Sequence, residues 1–278
     1  MSRVWINGEM IDEADARVAY DDHGITVGDG AFETAKVIGG RPFALRRHLD
    51  RLGGSLAALR LGPLDLAIVR DAVEAVCADH GGDGFVRVTV TAGRGPLGSP
   101  RGDISPTVIV AIRPGSIRTE PCDVIVVGYT RNENGALAGV KSTSYAENVL
   151  ALADALAVGS EEALFANTAG MLCEGTGSNV FVGLDGELLT PPLSAGCLAG
   201  VTRALVLEQL DVALREADIP MDALGRCDEM FLVSTGREVQ PVRSIDGVAL
   251  PGCPGHWTNM VRSAWVAAFS GPDAPIDP

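Results

Sequence analysis

"AGVKSTSYAENVLALADAL" occupies Ala138–Leu156 and changes character partway through. A Gly-Val approach and a serine-rich turn surround Lys141, and from Tyr145 to Gly159 the sequence reads as a helix closed by glycine. The chain carries 22 basic residues, but only Lys36 and Lys141 are lysines. A guanidinium keeps its proton inside a protein, whereas an amine in a dry pocket can shed it and become a nucleophile. Lysine at 141, in a chain that otherwise writes arginine, marks a candidate for chemistry that needs a neutral amine.

Outward from this stretch the pattern alternates between strands and helices. "DVIVVGY" before it is a strand, and "EALFAN", "SNVFVG" and "ELLTP" after it are strands around tight turns. "GVTRALVLEQLDVALREA", residues 200–217, predicts one long helix. "CDEMFLVST" is a further strand, and "SGPDAPIDP" at 270–278 a loose tail. Toward the start, "RVWING", "GAFETAKVI" and "RPFAL" are short strands. "LRRHLDRLGGSLAALRL" is a helix with Leu45, Leu49, Leu52 and Leu56 on one stripe. "PLDLAIVRDAVEAVCADH" is a second helix, opened by Pro63 and Asp65. "GFVRVTVTAG" and "SPTVIVAI" are strands joined by the loop "GRGPLGSPRGDI". "RPGSIRTEPCD" breaks the pattern with two prolines and a glycine. The expected organisation is mixed α/β (α+β): a small first domain over 1–113, a linker over 114–123 and a larger domain over 124–278.

Composition narrows the function classes. With 278 residues, 46% hydrophobic and 21% charged, the chain can bury a sizeable core. A net charge of −14 repels polyphosphate backbones, so nucleic acid is not an expected partner, and any anion must be held by a local positive cup. Six cysteines without a CxxC pair fit free thiols in a reducing cytoplasm. The polar, acidic "MSRVWINGEMIDEADARV" does not read as a secretory leader, and runs such as "TVIVAI" are too short to span a bilayer. Four histidines without close spacing give no expected metal site.

Four further features carry possible chemistry. In "MLCEGTGSNVF", Glu174 stands between a strand and a Gly-Thr-Gly turn whose backbone can approach a ligand closely. In "SAGCLAGVTRALVLEQL", Val201 and Thr202 open a helix and offer N–H groups and a hydroxyl to an anion. "FLVSTGREVQPV" is a strand that ends in Ser234, Thr235 and Gly236, a second concavity of donors. "HLDRL" puts His48 and Arg51 one turn apart on one helix face. Taken singly, each is also an ordinary cap, turn or helix surface.

In this order, the blocks resemble the class IV aminotransferases, the fold-type IV family of pyridoxal 5′-phosphate (PLP) enzymes. The resemblance runs through "DDHGITVGDGAFETAKVIGGRPFALRRHLDRL", "GVKSTSYAENVLAL", "LCEGTGSNVFV", "LLTPPLSAGCLAGVTRALVLE" and "STGREVQPVRSIDG", nearly the whole chain. It implies two α/β domains with the cofactor at their interface. Lys141 resembles the lysine that forms the Schiff base with the cofactor and moves the proton. Glu174 resembles the acidic partner of the pyridine nitrogen. Arg51, Val201, Thr202 and Thr235 resemble the phosphate cup, and Gly236 the N–H that meets a substrate carboxylate or phosphate oxygen. Tyr145 resembles the tyrosine near cofactor O3′, standing one residue closer to the lysine than in branched-chain members.

The resemblance further implies a homodimer that takes an amino donor and a 2-oxo acid. The expected reaction is transamination of a D-amino acid, with (R)-amines as further donors. Substrate contacts are expected from Phe32, Lys36, Arg87, Arg94 or Arg101, Gly236 and Arg237. Arg87 is favoured among the arginines, because an arginine inside an apolar strand wants an anionic partner. Phe32 replaces a tyrosine of some D-specific members. "GAFETAKV", with Thr34, is similar to the matching block of aminodeoxychorismate lyases, which release pyruvate and give 4-aminobenzoate. A branched-chain L-amino-acid aminotransferase and a non-catalytic vitamin B6 carrier complete the alternatives.

Overall fold

The computed structural model describes residues 3–271 and 273–278. The first two residues of the expected first domain, and Pro272 of the expected tail, lie outside the described residues. Two compact units emerge, neither a single run of chain. One takes Met1–Ser116, Val140–Tyr145 and Ile276–Pro278; the other takes Ile117–Gly139 and Ala146–Pro275. The expected linker, 114–123, spans the first crossing alone, and the short segment around Lys141 counts with the first unit.

The first unit holds β1 (Arg3–Ile6), β2 (Glu9–Asp12), the short α1 (His23–Thr26), β3 (Gly30–Ile38), β4 (Arg41–Pro42), α2 (Leu45–Ala58), α3 (Leu66–His80), β5 (Gly84–Thr91) and β6 (Thr107–Arg113). Its strands form one antiparallel sheet in the order β2-β1-β6-β5-β3-β4. Side chains alternate across a strand, so Ala31, Ala35 and Val37 join Val86, Val88 and Val90 in the core under α2 and α3. Phe32, Thr34 and Lys36 consequently point to the opposite face. The register sets Thr34 against Arg87 and Phe32 against Thr89 on that same face. The leucine stripe of α2 is buried as its spacing requires. Asp65 caps α3 by accepting from Ala67 N at 2.9 Å.

The second unit holds β7 (Cys122–Val126), α4 (Ala146–Ala157), β8 (Glu162–Ala166), β9 (Leu172–Gly175), β10 (Asn179–Leu184), β11 (Glu187–Thr190), α5 (Val201–Gln209), β12 (Arg215–Glu216), β13 (Glu229–Ser234), β14 (Glu238–Ile245), β15 (Val248–Ala249) and α6 (His256–Phe269). The sheet runs β12-β11-β10-β13-β14-β7-β8-β9, with β15 on β14. Parallel pairs β7–β8, β14–β7 and β11–β12 interrupt the antiparallel ones. Ala151 and Ala155 of α4 pack on Ala163 and Phe165 of β8.

Four expectations change. "RPFAL" is a strand only at Arg41–Pro42: Ala44 turns left-handed and α2 starts at Leu45. The long helix over 200–217 stops at Gln209, with Leu210 extended. Beyond it the chain returns to the sheet edge as β12, and Arg203 pairs with Glu216 and donates to Pro191 O at 2.8 Å. On an unbroken helix those two residues would stand roughly 20 Å apart along the axis. The tail is docked on the first unit: Ile276 O accepts from Ala44 N at 2.7 Å, and Asp277 accepts from Arg46 N at 2.9 Å. Finally, α6 was not anticipated. Its N-terminus is capped from a distant strand, where the buried Glu229 accepts from Trp257 N and Thr258 N, both at 2.8 Å.

The six cysteines are free thiols, five of them buried. Burial pushes Cys77, Cys122 and Cys197 up to about 12, so these thiols are inert packing groups. Among the described residues no helix is long and apolar enough to cross a membrane, and no His/Cys/Asp/Glu group has metal-site geometry.

Candidate active site

In the first unit the backbone of Lys141 is pinned between a strand and a helix. Its carbonyl accepts from Phe32 N at 2.9 Å, and its N–H donates to Ser55 Oγ of α2 at 3.4 Å. Ser142 bridges Ala31, and Thr143 N donates to Gly30 O at 2.8 Å, so residues 141–143 extend the sheet beside the start of β3. Thr143 Oγ1 and Ser144 Oγ both donate to Gly28 O at 2.9 Å. The serine-rich turn is therefore a hydroxyl clamp that fixes the lysine's exit direction.

The Lys141 amine lies 4.3 Å from the centroid of the Phe32 ring and 5.7 Å from that of Tyr145. Those rings meet edge-to-face at 5.3 Å. Arg87 Cζ lies 3.7 Å from the Phe32 centroid, a contact that suits a guanidinium. Arg87 Nε donates to Thr89 Oγ1 at 3.3 Å, and partial burial lowers its proton affinity. No carboxylate of the described residues pairs with it. Phe32, Arg87, Lys141 and Tyr145 thus form one cluster of two cationic groups on an aromatic wall.

Behind this cluster, α2 carries a second one. Glu33 is buried on the core face of β3. It accepts from Arg51 Nε and Nη2, both at 2.7 Å, and from His48 Nδ1 at 2.7 Å. Burial raises the Glu33 carboxyl, but Arg51 and His48 outweigh that and bring it to about 2. Burial drives His48 below its ordinary value, against the pull of Glu33. A bidentate carboxylate fixes the plane of a guanidinium, so Arg51 is held rigid rather than free to swing.

In the second unit Glu174 lies on β9 rather than past its end, paired with Phe165. Its Oε2 accepts from Leu198 N at 2.9 Å, and its Oε1 stands 3.6 Å from Arg131 Nε. Arg131 escaped the sequence reading. Its guanidinium lies 4.3 Å from the Phe165 centroid, and Nη1 donates to Glu147 at 2.8 Å. The available signal was a lone arginine just after a strand, in "YTRNEN". Val201 and Thr202 begin α5, whose N-cap is Gly200 with no side-chain cap. A Cβ at Gly200 would fall 1.9 Å from Asn179 Oδ1, so only glycine fits. Thr235 and Gly236 sit half-buried in the turn between β13 and β14, closed by Arg237 N donating to Ser234 O at 3.1 Å.

Four of the expected substrate contacts also have partners within the protein. Arg101 forms a two-point bond to Asp29 at 2.6 and 2.7 Å and donates to Leu59 O, which ties down its own loop. Arg237 is buried against Glu162 and Gln240. Lys36 extends toward Phe43, its amine 5.5 Å from the ring centroid. Arg94 pairs with Asp21 at the surface.

The family model for class IV amino-transferases matches residues 30–245. A Methanocaldococcus jannaschii protein named "Putative branched-chain-amino-acid aminotransferase" is 35% identical over 254 residues, 88% of each chain. A Staphylococcus epidermidis D-alanine aminotransferase is 29% identical over 258 residues, 89% of this chain and 90% of the relative. The crystal structure of the Escherichia coli branched-chain amino acid aminotransferase superposes with a TM-score of 0.89 at 27% identity, covering 96% of this chain and 94% of that one.

Proposed function

This chain belongs to the class IV aminotransferases, enzymes that work through PLP, and from that premise we propose that it exchanges an amino group between a branched-chain L-amino acid and a 2-oxo acid. The observation that carries the reading is the wall around Lys141. Phe32 and Tyr145 offer apolar surface to an aliphatic side chain, and Arg87 on the Phe32 ring offers a guanidinium to a carboxylate. The names of the M. jannaschii and E. coli proteins support the same choice.

The residues present fit PLP. The aldehyde needs an amine, and Lys141 presents one beside the Phe32 and Tyr145 rings. The ring nitrogen needs an anion, and Glu174 is largely buried and held by Leu198 N and Arg131. The phosphate needs oriented donors: the start of α5 has no side-chain cap of its own, and Gly200 leaves no Cβ there. Val201, Thr202, Thr235 and Arg51 would hold the phosphate, with Gly236 for a substrate carboxylate or phosphate oxygen and Tyr145 for O3′.

When bound, the cofactor supplies an aldehyde for the amino group and a ring that draws electron density from the substrate Cα. Lys141 Nζ would hold the cofactor through its aldehyde and would take the substrate Cα proton and give it back, as base and then acid. Glu174 would keep the ring nitrogen protonated. Arg87 would orient the substrate through a carboxylate. The reading includes a cytoplasmic homodimer, in keeping with six free thiols.

The D-alanine relative favours a second reading, in which the donor is a D-amino acid or (R)-amine. A spectrum of the PLP-loaded protein, taken before and after adding one donor alone, decides between them. Bleaching of the visible band by L-leucine or L-valine, with D-alanine inert, is expected. Bleaching by D-alanine alone would overturn the L-specific reading.

A further inference from the structure

Arg237 and Glu162 are both buried and charged. Glu162, the first residue of β8, is 1% exposed. Its Oε1 accepts from Thr176 N at 2.9 Å, from Ala163 N at 3.0 Å and from the Thr176 hydroxyl. Its Oε2 accepts from Ser178 Oγ at 3.0 Å and from Arg237 Nη2 at 3.2 Å. Arg237 also donates to Glu161 O at 3.3 Å and to Gln240 Oε1, and Gln240 Nε2 donates on to Glu120 O at 2.7 Å. A buried ion is tolerated only when it is paired and fully hydrogen-bonded, and this carboxylate has five donors.

What those donors belong to is informative. Thr176 and Ser178 form the turn that follows Glu174, a turn closed by Gly175 N donating to Ser178 O at 2.8 Å. A Cβ at Gly175 would lie 2.5 Å from Ser178 Oγ and 3.1 Å from Glu162 Cδ, so the carboxylate is packed directly against that backbone. From the other side Asn148 Nδ2 donates to Thr176 O at 2.6 Å. Arg237 immediately follows Thr235 and Gly236, and its own N–H closes their turn. One ion pair therefore joins the turn after Glu174 to the turn that bears Thr235 and Gly236.

We propose that Glu162 and Arg237 are positioning residues that fix the Glu174 carboxylate and the Thr235–Gly236 turn relative to each other, and so set how the cofactor's ring nitrogen and phosphate are bound. This rests on the reading of Glu174 and Thr235 as cofactor ligands. Glu162→Gln keeps the size and one acceptor oxygen but removes the charge opposite Arg237. Arg237→Gln removes it from the other side.

The test is titration of the apoprotein with PLP, with the visible absorption of the bound cofactor followed against pH in the absence of substrate. Glu229→Gln, which removes the remote cap of α6, is the control for lost stability. Weakening of PLP binding by about tenfold or more in Glu162→Gln and Arg237→Gln is expected, with a displaced pH profile. Arg237→Lys should restore much of the affinity, and Glu229→Gln should bind PLP as wild type does. Wild-type affinity and an unmoved profile in both Gln variants would overturn the inference alone. Wild-type protein that takes up no PLP would overturn the cofactor reading, and this inference with it.

Discussion

Each unit contains a buried glutamate that holds an arginine, and the two do different things. Glu33 grips Arg51 at two points and takes His48 as a third donor, and both partners sit one turn apart on α2. It orients a side chain. Glu162 takes three of its five donors from the turn at Thr176–Ser178 and one from Arg237. It orients backbone. A carboxylate facing a helix stripe can be replaced by whatever keeps that one side chain in place. A carboxylate that collects donors from separate turns has no local substitute.

The severest way to break this comparison is at Lys141, whose backbone the Glu33 side of the molecule supports through Ser55. Lys141→Ala should lower single-turnover amino transfer by at least about 10³-fold, measured by stopped-flow absorbance. Activity within tenfold of wild type would mean the clusters serve some other group. Next comes Glu33→Ala, which takes the carboxylate away from Arg51 and from the buried His48. It should cost about 3–5 kcal/mol of stability in urea unfolding, and a loss below about 1 kcal/mol would show that Arg51 is held by something other than Glu33.

Acid sharpens the contrast with a smaller effect. The Glu33 carboxyl falls from 4.5 to about 2, so its contribution is present above the ordinary value and lost as pH drops toward 2. Its full size is about 3 kcal/mol. His48, also lowered in the folded state, takes up its proton more readily when unfolded, so it too destabilises the fold as pH falls below about 6.5. Stability should therefore decline monotonically on acidification, and Glu33→Gln should flatten the acid limb. An unchanged limb would place the titrating group elsewhere.

Much of this molecule was readable from local pattern. The β3 and α2 blocks, the leucine stripe and the placing of His48 and Arg51 on one helix face all depend on residues a few positions apart. What escaped depends on distant partners. Helix α6 begins where Glu229, 27 residues earlier in the chain than His256, supplies the cap. Helix α5 stops because its continuation pairs with β11 and Arg203 reaches Glu216. The partners of Arg101 and Arg237 were not legible, because nothing adjacent in sequence names Asp29 or Glu162. The acidic Glu33 among Ala31, Ala35 and Val37 on the core-facing side of β3 was the overlooked local signal.

Helix α2 also works as a ruler. His48, Arg51 and Ser55 lie on successive turns, so Arg51 and Ser55 differ by about 6 Å along the axis, and those two grip a carboxylate and the Lys141 backbone respectively. One residue inserted between them would rotate everything downstream by about 100° and release the lysine segment while leaving Arg51 in place. In genetic terms, insertions and deletions should be excluded from 48–55 even where point substitutions are accepted.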